Sequence, residues 1–234
     1  MPYRYNLIES KHYYQIINEL FYLNGLDGGN YDSKPVYPFK LRFMAIGSGE
    51  SDRIGNKIDN VQLRLEYNIN LLSYKFQLLP STLSTSSDNQ FFMKFRVMVI
   101  DIPDEDNLSR ETASNYFKDM YTYLDSTNAQ SIHTTSLRVS GPHTSGFKII
   151  HDKMYTIKQT KPFIHEIANL KLANVLKFAD GGLQSPENHN YYIFFCMPKY
   201  YLQDISNNVV FELNNLINEP IRFSCNCKVT YQDS

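Results

Sequence analysis

Tryptophan is absent from this chain of 234 residues, and cysteine is scarce. The three cysteines, Cys196, Cys225 and Cys227, are an odd number and lack the paired spacing of a zinc site. Neither a disulfide framework nor a structural zinc is therefore expected. Cys225 and Cys227 stand two residues apart, which places both on one face of a strand, and we expect them to be buried, reduced thiols.

Long apolar runs are also missing. No segment approaches the roughly 18 apolar residues of a membrane span, and the first residues do not resemble a signal peptide. The 10 glycines and 10 prolines are scattered without a period, which excludes collagen-like and low-complexity classes. These absences predict a soluble, globular protein from a reducing compartment, without a membrane span.

A charge excess of either sign is absent as well, because 23 Lys and Arg oppose 24 Asp and Glu. Residues 1–20 carry only the cations Arg4 and Lys11. The chain has no phosphate-binding Gly-Lys-Ser/Thr loop, no dinucleotide fingerprint, no Gly-x-Ser-x-Gly elbow and no His-x-His pair. We therefore expect no enzyme, no cofactor and no transition-metal site.

Aromatic residues and alternating segments are what the chain does contain, with 18 Tyr and 15 Phe. Within the stretch from Arg53 to Leu72, apolar residues occupy every second position from Val61 to Leu71, and the same alternation returns between Ile221 and Tyr231. This period predicts strands with one buried face and one wet face. The continuous apolar run Tyr191–Met197, ended by Pro198, predicts a central strand covered on both faces. We count about eight strands in all by this pattern.

The N-terminal segment has a different spacing. From Glu9 to Asn24 the apolar residues fall at the intervals of a helical face, Ser10 can cap the start and Gly25 can end it. We predict an amphipathic helix outside the sandwich. The apolar residues of that face are Tyr13, Ile16, Ile17, Leu20 and Phe21.

The order of motifs resembles a known family. Arg53-Ile-Gly-Asn-Lys-Ile58 leads into a long strand, and a loop then precedes Phe95-Arg-Val-Met-Val-Ile-Asp101. Phe147-Lys-Ile-Ile-His-Asp-Lys-Met154 agrees with a middle strand of the same family. This order is similar to capsid proteins of circovirus-like circular single-stranded DNA viruses and to shell proteins of satellite plant viruses.

The resemblance implies an all-β fold, a single eight-stranded antiparallel jelly-roll sandwich with long loops, over residues 47–234. Residues 1–46 would form the N-terminal helix and a lead-in segment. The implied function is that of a coat protein that assembles with its own copies into an icosahedral shell of about sixty subunits around single-stranded DNA. The protein would be made and assembled inside the host cell and located in the virion.

Site residues follow from this expectation. If the strands around residues 61–71 and 221–231 are neighbours, their wet face collects cations that can contact phosphates without reading sequence. The nucleic-acid-facing candidates are Arg64, Arg222 and Lys228, with Arg4 and Lys11. The subunit-contact candidates are Tyr13, Ile17, Phe21 and Tyr22. The acidic turn supplies a calcium candidate at Asp101, Asp104 and Asp106, although a solvated loop is the simpler interpretation.

Two other function classes stay open. A receptor- or carbohydrate-binding jelly roll would present exposed aromatic pairs in a concave groove. A metal-dependent β-barrel enzyme would hold a bound metal ion. Observation of closed particles would favour the shell, whereas a trimer with a ligand groove would favour the binding module.

Overall fold

The computed structural model of the chain describes residues 10–22, 36–49, 52–71, 89–102, 148–158, 161–179, 186–204, 209–213 and 220–233. These residues form an all-β structure of antiparallel strands. The strands are β1 Ser10–Tyr22, β2 Val36–Lys40, β3 Lys57–Leu71, β4 Asn89–Ile102, β5 Lys148–Lys158, β6 Phe163–Lys171, β7 Val175–Lys177, β8 Asn190–Asp204, β9 Val209–Leu213 and β10 Pro220–Asp233. No helix occurs in these ranges, so none that could cross a membrane is found there.

The strands are arranged in two five-stranded sheets. Sheet A has the order β1-β10-β3-β6, with β7 paired to β3, and sheet B has the order β2-β8-β4-β5, with β9 paired to β8. Without the short strands β7 and β9, eight strands remain, and their pairing is nested. The first pairs with the last, the second with the seventh, the third with the sixth and the fourth with the fifth.

The core lies between the two sheets. Alternate side chains in the described parts of β3, β4, β8 and β10 belong to this core. The rings of Phe195 from β8 and Phe223 from β10 stack across the interface with centroids 4.7 Å apart. The expected pairing of the two alternating segments is confirmed, since Val229 lies opposite Leu63 and Phe223 opposite Ile69. The expected burial of Cys225 and Cys227 is also confirmed, and both thiols are free.

The predicted helix from Glu9 to Asn24 is wrong. Within this segment, Ser10–Tyr22 form β1, and these 13 residues pair with β10 without a register shift. The reason lies in the spacing, because a separation of four residues shares a face in a helix and also in a strand. Tyr13, Ile17 and Phe21 therefore fit both periods. The strand is the more stable conformation here because aromatic and β-branched residues favour strands, and because β1 forms backbone hydrogen bonds with β10 along its length.

The expected central strand is confirmed, and it is longer than the sequence indicated. All five residues from Tyr191 to Phe195 are buried, although they point alternately to opposite faces of sheet B. Strand β8 continues past Pro198 to Asp204. The pairing shifts from Lys94 with Lys199 to Arg96 with Cys196, so β8 holds one extra residue near Pro198. A bulge tolerates a residue without an N–H donor, which explains why the proline does not end the strand.

The turn that precedes β3 is held by a buried arginine. The Arg53 side chain is fully buried, its guanidinium lies 4.1 Å from the centroid of the Phe178 ring, and it donates hydrogen bonds to the carbonyls of Met44 and Gly55. Further along, Asn60 has a φ of 52°, where a bulge shifts the register between β3 and β10. Asparagine tolerates this left-handed conformation better than most residues, so the alternation restarts cleanly at Val61.

Candidate nucleic-acid interface

The outer face of sheet A is polar along its two central strands, β3 and β10, and carries exposed apolar side chains on the edge strands β1 and β6. We define the outer block as the outward-facing side chains of residues 222–230 of β10 and of the residues of β1, β3 and β6 that lie in line with them across the sheet. Strand β3 presents Arg64, Glu66 and several amides there, and β10 presents hydroxyl, amide and basic groups. The outward residues of β3 and β10 in the block are Gln62, Arg64, Glu66, Asn68, Asn70, Arg222, Ser224, Asn226, Lys228 and Thr230.

The outer block carries a local positive charge although the whole chain has a formal charge of −1. Four outward cations, Arg64, Lys171, Arg222 and Lys228, face one outward carboxylate, Glu66, among the described residues of the block. The difference is an excess of three positive charges. Glu66 is partly compensated, because its oxygens lie 3.7 Å from the Arg64 guanidinium and 3.9 Å from the His165 ring nitrogen.

Two of the three predicted β-strand cations are brought together. Lys228 of β10 lies directly opposite Arg64 of β3 in the register, with Tyr14 of β1 on the other side of Lys228. The Lys228 ammonium sits 5.6 Å from the centroid of the Tyr14 ring. Arg222 is on the same face but six residues along β10, about 20 Å away at the rise of a strand. The structure therefore yields a compact pair and a distant third charge.

Two shallow grooves adjoin this pair. One has a volume of about 470 Å³ and lies towards β1, between Tyr14 and Ile16 on one side and Arg64 and Glu66 on the other. The other has a volume of about 360 Å³ and lies towards β6, with Gln62, Asn169 and Lys171 in its lining. Arg64 and Lys228 line both grooves, so the two cations form a ridge between them.

The other two predicted cations are placed differently. The Lys11 side chain points to the interior side of β1, where its ammonium lies 2.8 Å from an Asp233 carboxylate oxygen and donates to the backbone carbonyl of Asp52. Its charge is balanced within the chain, away from the outer block. Arg4 lies outside the described residues.

The predicted subunit contacts change with the strand assignment of β1. Ile17 is only 6% exposed and belongs to the core, and Tyr13 is partly buried against it. The large hydrophobic side chains that β1 exposes, among its described residues, are Tyr14 and Ile16, at 57% and 76%. The side chains of Phe21 and Tyr22 lie outside the described part, so their role stays a prediction.

The calcium candidate is reduced to one described residue. Asp101 is buried at the end of β4, and one of its carboxylate oxygens lies 2.7 Å from Nδ1 of His189. Asp104 and Asp106 fall outside the described residues. Across the parts of the chain that the structure describes, no cluster of three or more His, Cys, Asp or Glu side chains is arranged to hold a metal.

A cluster of hydrogen-bonding side chains lies between the two sheets. The Tyr67 hydroxyl from β3 hydrogen-bonds with the Tyr155 hydroxyl of β5 and lies 3.3 Å from Nε2 of His151. Burial raises the pKa of Tyr67 above its usual range, and burial raises the pKa of Tyr155 to about 12. Both phenols therefore stay neutral at physiological pH, and the network links the two sheets.

Sequence reasoning missed Tyr14, Ile16 and Lys171 as parts of the surface. The signal was available in the alternation itself. Once β1 is recognised as the neighbour of β10, its even positions must face the same side as Lys228. Lys171 ends a segment that alternates only in part, and its place beside Gln62 depends on the pairing of β6 with β3.

No protein-family model matches the chain, and no curated protein matches it. Among solved structures, the chain has a similarity to the cryo-EM structure of Mud crab tombus-like virus, with 12% sequence identity over 99% of this chain and 86% of that chain. The TM-score of that match is 0.27, which does not establish a shared fold.

Proposed function

We propose that the chain is the coat protein of a small virus and that its sandwich is a jelly roll. The observation that carries this proposal is the nested pairing of the eight longer strands, first with last and fourth with fifth. Two Greek keys that wind a long hairpin into a sandwich produce this order, and the jelly roll is the fold of many viral shell and lectin domains. The arrangement of motifs that resembles circovirus-like capsid proteins supports the shell function.

The second part of the proposal concerns orientation and cargo. The outer block would face the inside of the shell and contact the phosphates of a single-stranded DNA genome. Its excess of three positive charges supports this, because phosphate contacts need point charges and no base reading. The contribution per subunit is small, and it would be multiplied by the copies of a closed shell, about sixty in the simplest icosahedral case.

The experiment that tests the proposal examines the protein as it purifies from cells. Negative-stain electron microscopy and light scattering should show closed particles of uniform size, and nucleic acid extracted from them should be digested by a DNase specific for single strands. Protein that remains monomeric across a range of concentration and salt would refute the shell function. Particles that contain nucleic acid sensitive only to RNase would refute the DNA cargo and retain the shell.

A carbohydrate-binding module is the second candidate, favoured by the amide-rich outer block. Sugar rings are usually held by aromatic side chains, and the large exposed aromatic residues of sheet A within the described residues are Tyr14 and Phe163. They lie on the opposite edge strands β1 and β6, about 14 Å apart across the sheet, and Phe163 is displaced by about a further 20 Å along the strands, because Asn169 is the β6 residue in line with Tyr14. Two aromatic rings this far apart cannot contact the same sugar ring. Binding of the soluble protein to immobilised glycans, without particles, would favour this alternative.

A further inference from the structure

We propose that the ridge of Arg64 and Lys228, with the groove towards β1, is a subsite for one nucleotide of a single strand. In this subsite the two cations contact a phosphate, and the base lies in the groove against Tyr14 and Ile16. The inference rests on the proposed function for its biological cargo. Its evidence is the local geometry, which combines adjacent cations with exposed apolar side chains.

The first argument is the position of the two cations. Arg64 and Lys228 are cross-strand neighbours on an open face, and like charges directly opposite each other are unfavourable in a sheet. Glu66 and the Tyr14 ring relieve only part of this repulsion, since the shortest ion-pair distance is 3.7 Å. A phosphate group that contacts both cations would remove the repulsion. Charge complementarity therefore favours an anionic occupant.

The second argument is the composition of the groove walls. Ile16 is 76% exposed and Tyr14 is 57% exposed, so two apolar side chains face solvent beside two cations. Contact with an aromatic ring is a sequence-tolerant way to hold an unpaired base, and cations that follow the backbone complete such sites. In a duplex the bases are stacked and paired, so they cannot enter a lateral groove. The combination selects single strands over duplexes.

The third argument concerns specificity. The groove contains the Asn226 amide and the Glu66 carboxylate, which can hydrogen-bond to a base edge. The contacts of Glu66 with Arg64 and His165, at 3.7 Å and 3.9 Å, are longer than hydrogen bonds and do not fix its orientation. The groove is also open to solvent on one side of the sheet. We therefore expect little discrimination between bases, as a coat protein that covers a whole genome requires.

The test measures binding of the full chain to a fluorescent oligothymidylate and to a duplex of equal length by anisotropy, over a series of salt concentrations. Tyr14→Leu should weaken single-strand binding about ten-fold, whereas Tyr14→Phe should retain it, because stacking needs the ring alone. Arg64→Gln and Lys228→Gln should each weaken binding and lower the salt-dependence slope by about 0.7. Lys148→Gln, which removes an exposed cation of sheet B, is the matched control and should change neither quantity.

Several results would overturn the inference. These are equal binding of duplex and single strand, unchanged binding by Tyr14→Leu, or a particle map in which a neighbouring subunit covers the groove. Because Tyr14 and Arg64 are exposed, their variants should keep the thermal stability of the parent, and Ile16→Ser provides a second test of the same wall. An experiment that refutes the nucleotide subsite can be distinguished from one that refutes the proposed shell function. Particles whose Tyr14→Leu variant packages normal amounts of nucleic acid refute the subsite alone, whereas single-strand binding by a chain that never assembles refutes the shell alone.

Discussion

Arg96 of β4 and Asp152 of β5 form a bidentate salt bridge on the face of sheet B that points away from the core. Nε of Arg96 lies 2.7 Å from one carboxylate oxygen and a terminal nitrogen lies 2.6 Å from the other. The Arg96 side chain is completely buried and that of Asp152 is 10% exposed. Because both charges are shielded from bulk water, the attraction between them must offset the free-energy cost of their desolvation.

Removal of one partner should therefore be costly. We expect Arg96→Ala to lower the free energy of unfolding by about 3–5 kcal/mol, because the Asp152 carboxylate would remain buried without its partner. Urea denaturation followed by circular dichroism measures this loss.

The adjacent residue of β5 provides the control. Lys153 pairs with Glu166 at 2.5 Å, but both side chains are partly exposed. Lys153→Gln should therefore cost no more than about 1 kcal/mol. Similar losses for the two variants would show that burial does not determine the contribution of the Arg96 pair.

The strand assignment of β1 can be tested with two neighbouring isoleucines. A helical face would bury Ile16 and Ile17 together, whereas the strand buries Ile17 and exposes Ile16. We expect Ile17→Ala to lower the free energy of unfolding by about 2–4 kcal/mol and Ile16→Ala by less than about 0.5 kcal/mol. Equal losses in chemical denaturation would contradict the pairing of β1 with β10.

The same pair of residues shows what could be predicted from the sequence. The pairing of β3 with β10 was predictable because the alternation between Val61 and Leu71 is strict and a slip of one residue would expose every apolar side chain. At Tyr13 and Ile17 the spacing of four does not distinguish helix from strand. The choice there depends on whether β10 has a neighbour on its other side, which is a property of the whole fold.

The candidate site was predictable in part for the same reason. Arg64 and Lys228 were expected on one face because both strands alternate, and their opposition in the register follows from the pairing. Tyr14 and Ile16 were not expected beside them, because the helical interpretation of β1 removed them from the sheet. The bulge at Asn60 was also hidden, since Asn60 falls on the same even, polar positions of the alternation as Asn68 and Asn70.

A close approach of backbone and side chain in the turn before β3 gives a third prediction. A Cβ atom at Gly47 would overlap the Asp52 carboxylate, with Cγ only 2.7 Å away, while that carboxylate accepts a hydrogen bond from the Gly49 amide at 2.9 Å. We expect Gly47→Ala to cost about 0.5–1.5 kcal/mol, because the partly exposed Asp52 side chain must rotate away and lose this bond.

A double-mutant cycle identifies the cause. Asp52→Ala removes the obstacle, so Gly47→Ala should cost clearly less in that background than in the parent chain. Urea denaturation of the four proteins supplies the coupling energy. Additive losses would show that something other than the Asp52 carboxylate limits the space at Gly47.

The buried phenols predict a loss of stability at high pH. Tyrosine ionises near pH 10 in an unfolded chain, whereas burial raises the pKa of Tyr155 to about 12 and raises the pKa of Tyr67 further above its usual range. Below pH 10 both phenols are protonated in both states, and their contribution to stability is fully present. Above pH 10 the unfolded chain loses protons first, so the folded state binds more protons and the free energy of unfolding falls as pH rises.

Each buried phenol should contribute about 1.4 kcal/mol per pH unit to this decline, and Tyr67→Phe should remove the contribution of one phenol between pH 10 and 12. At neutral pH the variant should lose about 1 kcal/mol, because the Tyr155 hydroxyl loses a hydrogen-bond partner. Urea unfolding curves at half-unit pH steps measure both quantities in one series. If the free energy of unfolding of Tyr67→Phe falls with pH as steeply as that of the parent, this phenol ionises equally easily in the folded and unfolded chains. The hydrogen-bond network between the sheets would then be accessible to water.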